Sequence, residues 1–254
     1  MELNKLIINA DDYGLTESCT KAIAEAFEKN LISSTTACAN GTYIEQALVL
    51  AQEKGFVDKI GIHINLTEGQ PLTEQIAQDP FFCENGQFHG RINRLKKPTK
   101  EHLAEIQAEV TAQIERLLAL GYTISHADSH HHIHTCIYFE DTIKDVLFTY
   151  GIKKIRLHRN IGAIPFYKKA VKNWYNKKLR KQGFITCRYF GGLADFTLCK
   201  NTADVCEIMV HPDYDSKGEL IDRVMQNEDG NFGEMLEKIQ TLTENQEKIS
   251  YKDL

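Results

Sequence analysis

Five constellations in this chain of 254 residues carry side chains that could do chemistry, and each follows or closes an apolar run. The first is Asn9-Ala10-Asp11-Asp12-Tyr13-Gly14. Successive strand residues point to opposite sides, so Asp11 and Asp12 should differ in role, one holding a metal and the other contacting a water. The pair equally suits a turn that caps a helix. In the second, Gly61-Ile62-His63-Ile64-Asn65-Leu66-Thr67, the alternation puts His63 and Asn65 on one side of a strand. A single histidine there is more often a hydrogen-bonded core residue than a ligand, and its company decides.

The third constellation supplies that company: His126, His130, His131, His132 and His134 are five of the chain's ten histidines. Neutral imidazole is the commonest nitrogen ligand for metals, and Asp128 could orient one ring from behind. A solvated histidine loop is the bland alternative. Fourth, Arg156 and His158 share one side of a short strand, and Arg156 could pair with an active-site carboxylate or bind a substrate oxygen. Last, His211 closes an apolar strand before Pro212, which restrains it to an extended backbone and suits it to general acid or base work. A metal held by two histidines and an aspartate, with positions open to water, is a hydrolytic site. No phosphate-binding glycine loop and no G-x-S-x-G elbow occurs, which counts against nucleotide and serine-hydrolase chemistry.

The elements that must position these groups alternate. Strand-like runs at 6–9, 34–39, 60–66, 123–127, 154–157, 184–189 and 205–210 are interleaved with helical patterns at about 17–30, 43–54, 103–118, 137–150, 165–181 and 232–247. Leu103, Ile106, Val110, Ile114, Leu117 and Leu118 lie on one face of the clearest helix, and Gly55, Gly121 and Gly151 suit left-handed helix ends. Such a rhythm predicts an α/β fold: an irregular (β/α) TIM-like barrel of about seven parallel strands, a single domain over 1–254. The chemistry-bearing residues then gather at the carboxyl rim. An inserted loop at about 78–100 breaks the rhythm and reads as a lid, a homodimer contact or a plain surface excursion.

Composition narrows the partners. Thirty Lys and Arg against thirty-five Asp and Glu give a net charge of −5, which disfavours nucleic acid. Eleven Lys and Arg within 153–181 read as a solvated helix face. No apolar stretch nears the ~20 residues of a spanning helix and no secretion signal is visible, so no membrane partner is expected. Seven cysteines without a Cys-x-x-Cys pair predict reduced thiols in the cytoplasm.

At its motifs the sequence resembles the YdjC-like carbohydrate deacetylases, the family of the chitooligosaccharide deacetylases. The resemblance lies in Asn-Ala-Asp-Asp-Tyr-Gly-Leu at 9–15, Ser-Thr-Thr-Ala at 34–37, Asn-Gly at 40–41, Gly-Ile-His-Ile-Asn-Leu-Thr-Glu-Gly-Gln-Pro-Leu at 61–72, Asp-Ser-His-His-His-Ile-His at 128–134 and His-Pro at 211–212. It implies a (β/α) barrel related to the polysaccharide deacetylases. It further implies that Asp12, His63 and His130 hold one divalent metal, Asp11 is the general base and His211 the acid, with Asn65 and Arg156 as candidate substrate contacts. His131, His132 and His134 receive no role. Two imidazoles favour Zn2+, whereas the family suggests Mg2+. The implied reaction is hydrolysis of N-acetyl groups on acetylated amino sugars or short chitin-type oligosaccharides. The competing readings are a metal-dependent phosphoesterase and a non-catalytic sugar or metal binder.

Overall fold

The computed structural model describes residues 4–90, 92, 96–198, 204–224 and 246–254. Its elements are β1 (Asn4–Tyr13), α1 (Glu17–Glu28), β2 (Ser34–Ala37), α2 (Ile44–Lys54), β3 (Ile60–Ile64), α3 (Glu74–Gln78), β4 (Cys83–Glu84), β5 (Gln87–Phe88), α4 (Lys100–Leu120), β6 (Ala127–Ser129), α5 (Glu140–Thr149), α6 (Phe166–Lys181), β7 (Tyr189–Gly192), β8 (Cys206–Val210), β9 (Pro212–Tyr214), β10 (Leu220–Asp222) and β11 (Gln246–Lys248). Thr16 and Thr99 cap α1 and α4 by accepting from the backbone N–H three residues on, and left-handed Gly55 and Gly121 close α2 and α4. Ile106, Val110, Ile114 and Leu117 are buried as the periodicity requires, but Leu118 points outward and is exposed. The helix read at 232–247 falls outside the described residues, apart from its end, which is β11.

The main sheet is parallel in the order β6-β3-β2-β1-β8-β7, with β11 added beside the start of β1. Strands such as β3 are buried along their whole length, as a parallel sheet covered on both faces demands. The sheet curls. Between β6 and β7 it is carried only by single-residue bridges, Ala127 to Ile155 and Lys154 to Ile185.

The α/β fold with a curled parallel sheet is as expected, and its irregularity lies here: the run at 154–157 is held by single bridges, and that at 184–189 reaches a ladder only at Tyr189, where β7 begins. Side chains occupy the backbone groups instead. Asn176 pairs with both backbone groups of His158, Arg180 donates to the carbonyl of Cys187, and Asn160 bridges the carbonyl of Arg188 and the N–H of Phe190.

Within the insertion, β4 and β5 form a hairpin whose Asn85-Gly86 turn has positive φ at both residues, the twist-matched geometry for a two-residue loop. Phe82 and Phe88 are buried, and the N–H of Phe88 donates to the carbonyl of Gly69, so the hairpin is docked on its own chain beside the β3 loop. Cys19, Cys38, Cys83, Cys136 and Cys187 are buried and form no disulfide. Cys206, however, is disulfide-bonded, against the expectation of reduced thiols throughout; sequence spacing does not limit which cysteines a fold brings together. Among the described residues no helix is long and apolar enough to cross a membrane.

Candidate functional site

Because the strands run parallel, their carboxyl ends deliver Asp11, Asp12, His63, Asp128 and His211 to one rim. Near the end of β1 the pairing register shifts between Ala10 and Tyr13, and Asp12 adopts φ 75°. That backbone is uncommon for a non-glycine residue and concentrates at functional sites. It turns the two buried aspartates to different partners.

Asp12 faces the histidines. Its Oδ1 lies 3.1 Å from His63 Nε2 and 2.8 Å from His130 Nδ1. Both rings are held from behind: His63 Nδ1 is 2.6 Å from Asp128 Oδ1, and His130 Nε2 is 2.8 Å from Glu68 Oε2. Thr36 adds its hydroxyl to the first of these contacts, 3.1 Å from His63 Nδ1, and donates to Asp128 Oδ2. Burial disfavours charge on His63, but Asp128, Asp12 and Asp11 outweigh it and bring its pKa up to about 10.

Asp11 faces Arg156, which is fully buried and forks onto it with two contacts of 2.6 Å. The same guanidinium reaches Asp128 Oδ2 at 2.6 Å and Glu207 Oε1 at 2.7 Å. Burial pushes the Asp11 carboxyl up, but Arg156 more than reverses it and holds the group well below the usual carboxylate range. Burial keeps Glu207 up at about 7 despite the arginine. Tyr251 donates its hydroxyl to Glu207 and stacks on His126, whose ring packs so tightly on Gly61 that any Cβ there would meet it.

His211 stands at the end of β8. Its Nε2 is 4.0 Å from Asp11 Oδ2, and Asp222 of β10 accepts from its backbone N–H. Arg223, next along the chain, donates to Asp12 Oδ2 at 2.6 Å. His132, Phe190, Leu193, Met209, His211 and Asp222 line a cavity of about 300 Å³ beside these groups. A larger opening of about 700 Å³ under the insertion is lined by none of the site residues.

The two candidate substrate contacts both have partners within the protein, and Arg156 takes the carboxylate pairing that was its other reading. Arg156 is fully buried and engages three carboxylates, its fork holding Asp11. Asn65 lies just past β3, where its oxygen accepts from the N–H groups of Thr67 and Glu68 and its amide donates to Asn40 and to the carbonyl of Glu68. It organises the loop that presents Glu68. His131 rests against Thr67, and His134 against Ser129.

Thr36, Glu68, Glu207 and Arg223 were not among the candidate residues. Thr36 and Glu68 lie inside stretches that carry the family resemblance, and Glu207 is a charged residue in the middle of an apolar strand, a signal in itself. Nothing in the sequence pointed to Arg223.

One carboxylate oxygen and two imidazole nitrogens, with the far nitrogens anchored by carboxylates, form a donor set that fits a divalent cation. Overlapping groups of potential ligand atoms occur at Asp12, Cys38 and His63, at Asp11, His63 and Asp128, and at Glu68, His130 and His131. Burial, and then Asp12, keep the Cys38 thiol protonated, and Arg156 already claims Asp11 and Asp128. Asp12 Oδ1, in contact with both His63 and His130, lies between the first and the last of these groups.

Comparison with known proteins agrees with this architecture. The model of the YdjC-like protein family matches residues 5–248. "Carbohydrate deacetylase 1" of Listeria innocua serovar 6a is 32% identical over 217 residues, covering 83% of this chain and 82% of its own. "Carbohydrate deacetylase" of Vibrio vulnificus (strain CMCP6) is 33% identical over 213 residues, covering 82% of this chain and 78% of its own. Among solved structures, a protein of Enterococcus faecalis V583, provisionally named for cellobiose-phosphate cleavage, superposes with a TM-score of 0.74 at 22% identity, covering 99% of this chain and 98% of its own; it shares the fold. The match over nearly the whole chain, with relatives above 30% identity, places this protein in the YdjC-like family.

Proposed function

We propose that the protein is a metal-dependent deacetylase that hydrolyses the N-acetyl group of acetylated amino sugars or short chitin-type oligosaccharides, giving acetate and a free amine. The observation that carries this reading is the division of labour between adjacent aspartates: Asp12 meets His63 and His130, while Arg156 holds Asp11 apart with its Oδ2 4.0 Å from His211 Nε2. Asp12, His63 and His130 would hold one dication, Mg2+ or Zn2+. When bound, such an ion polarises the acetamide carbonyl and lowers the pKa of a water. Asp11, kept anionic by Arg156, accepts the proton of the attacking water. His211 gives a proton to the departing amine from the neighbouring side.

Incubating the metal-replete protein with N,N′-diacetylchitobiose and with a generic phosphomonoester tests the assignment. Acetate from the first and no phosphate from the second is expected; phosphate alone would overturn it in favour of a phosphoesterase.

The ligand set has its own test. His63→Ala or His130→Ala should lower metal content and activity together, because two remaining protein ligands hold a dication poorly. Full occupancy at unchanged affinity in His130→Ala, by elemental analysis and titration, would remove His130 from the set. For His211, the leaving group discriminates. His211→Ala should keep far more of its rate on an acetate ester, whose leaving group needs little protonation, than on the acetamide. Equal losses on both, or a lowered melting temperature with kcat intact, would exclude the acid role.

A further inference from the structure

We infer that the cavity between His132 and His211 seats the sugar ring that carries the scissile acetamide, and that His132 recognises this ring through Nε2. The inference rests on the deacetylase reading. At about 300 Å³ the cavity stands at the low end of ligand sites, room for one ring and not for an oligosaccharide. Its walls are mixed: Phe190, Leu193 and Met209 offer apolar surface to C–H faces, while His132, His211 and Asp222 offer polar groups to hydroxyls.

His132 is otherwise unused. Among the described residues no hydrogen bond reaches either nitrogen of its ring, and Nδ1 is buried without a partner. A neutral imidazole has one N–H, and an unmet buried donor is costly. With the proton on Nε2 the unmet buried atom is an acceptor and no longer a donor, and an N–H is left for the cavity the ring lines.

The backbone points the same way. His131 and His132 both hold left-handed φ values, 50° and 55°, and such strain collects at ligand clamps. The edge contact of His132 with Phe190, ring centres 5.9 Å apart, fixes the imidazole in place.

The test compares KM, kcat, metal content and melting temperature on N,N′-diacetylchitobiose. His132→Phe keeps the aromatic contact and removes the donor; its KM should rise about ten-fold with metal retained, the scale of one lost hydrogen bond. His132→Gln, which retains an N–H donor, should recover much of that loss. Val224→Trp, at an exposed position on the cavity wall, should raise KM by narrowing the seat without touching His132. Parental KM in His132→Phe, metal lost in step with activity, or a lowered melting temperature with KM unchanged would each overturn the inference. If the parent releases no acetate, the deacetylase reading fails separately, and calorimetric titration of the disaccharide decides the seat. Binding to the parent that weakens in His132→Phe supports it; equal binding or none contradicts it.

Discussion

Arg156→Met is expected to destabilise the protein by about 3–5 kcal/mol, the scale for breaking a buried ion pair from one side. For a chain of this size that is a melting temperature lower by roughly 6–20 °C. Arg156 is the shared countercharge of Asp11, Asp128 and Glu207, all buried and all within 2.7 Å of it. Glu207, already up at about 7, can shed its charge by taking a proton; Asp11 and Asp128 are left to bear the loss. Arg156→Lys should recover part of the stability but little of the activity, because an ammonium restores charge and not the two-pronged hold on Asp11. Differential scanning calorimetry checks the first expectation, and an unchanged melting temperature in the methionine variant would show that the cluster is not held together by this residue.

Asp11→Asn should retain bound metal while kcat falls by about 10²-fold or more, the usual scale of general-base catalysis. Asp12, His63 and His130 are untouched by the change, and Arg156 keeps Asp128 and Glu207 as partners. Some stability is lost because the amide turns a donor toward the guanidinium, so rates are compared per folded, metal-loaded molecule. Near-parental turnover at full metal content would move the base away from Asp11.

Much of this site was legible because residue type and position agreed. Strand alternation separated the roles of Asp11 and Asp12, but the separation is produced by the register shift and the φ of 75° at Asp12, which leave no periodic trace. For Asn65 the alternation misled, since β3 ends at Ile64 and the loop claims the next side chain. Among clustered histidines, pattern could not separate His130 from its neighbours, since the choice depends on left-handed turns at His131 and His132. Helices, caps and the parallel order follow from local signals; the open place in the sheet does not. There Asn160, Asn176 and Arg180 take backbone hydrogen bonds from the ladder, and no hydrophobic period records such a substitution. Arg223 reaches Asp12 across 211 positions of sequence, a contact made by tertiary packing alone.

Acetate release from N,N′-diacetylchitobiose, measured on the parent protein before chelation, after complete removal of divalent ions and after their return, tests the central claim most directly. The division of roles among Asp12, His63, His130 and Asp11 predicts acetate with an equal amount of free amine, loss of both on chelation, and recovery when a single dication per chain is restored. An undiminished rate in the fully stripped protein, or no acetate from the metal-loaded one, would contradict it.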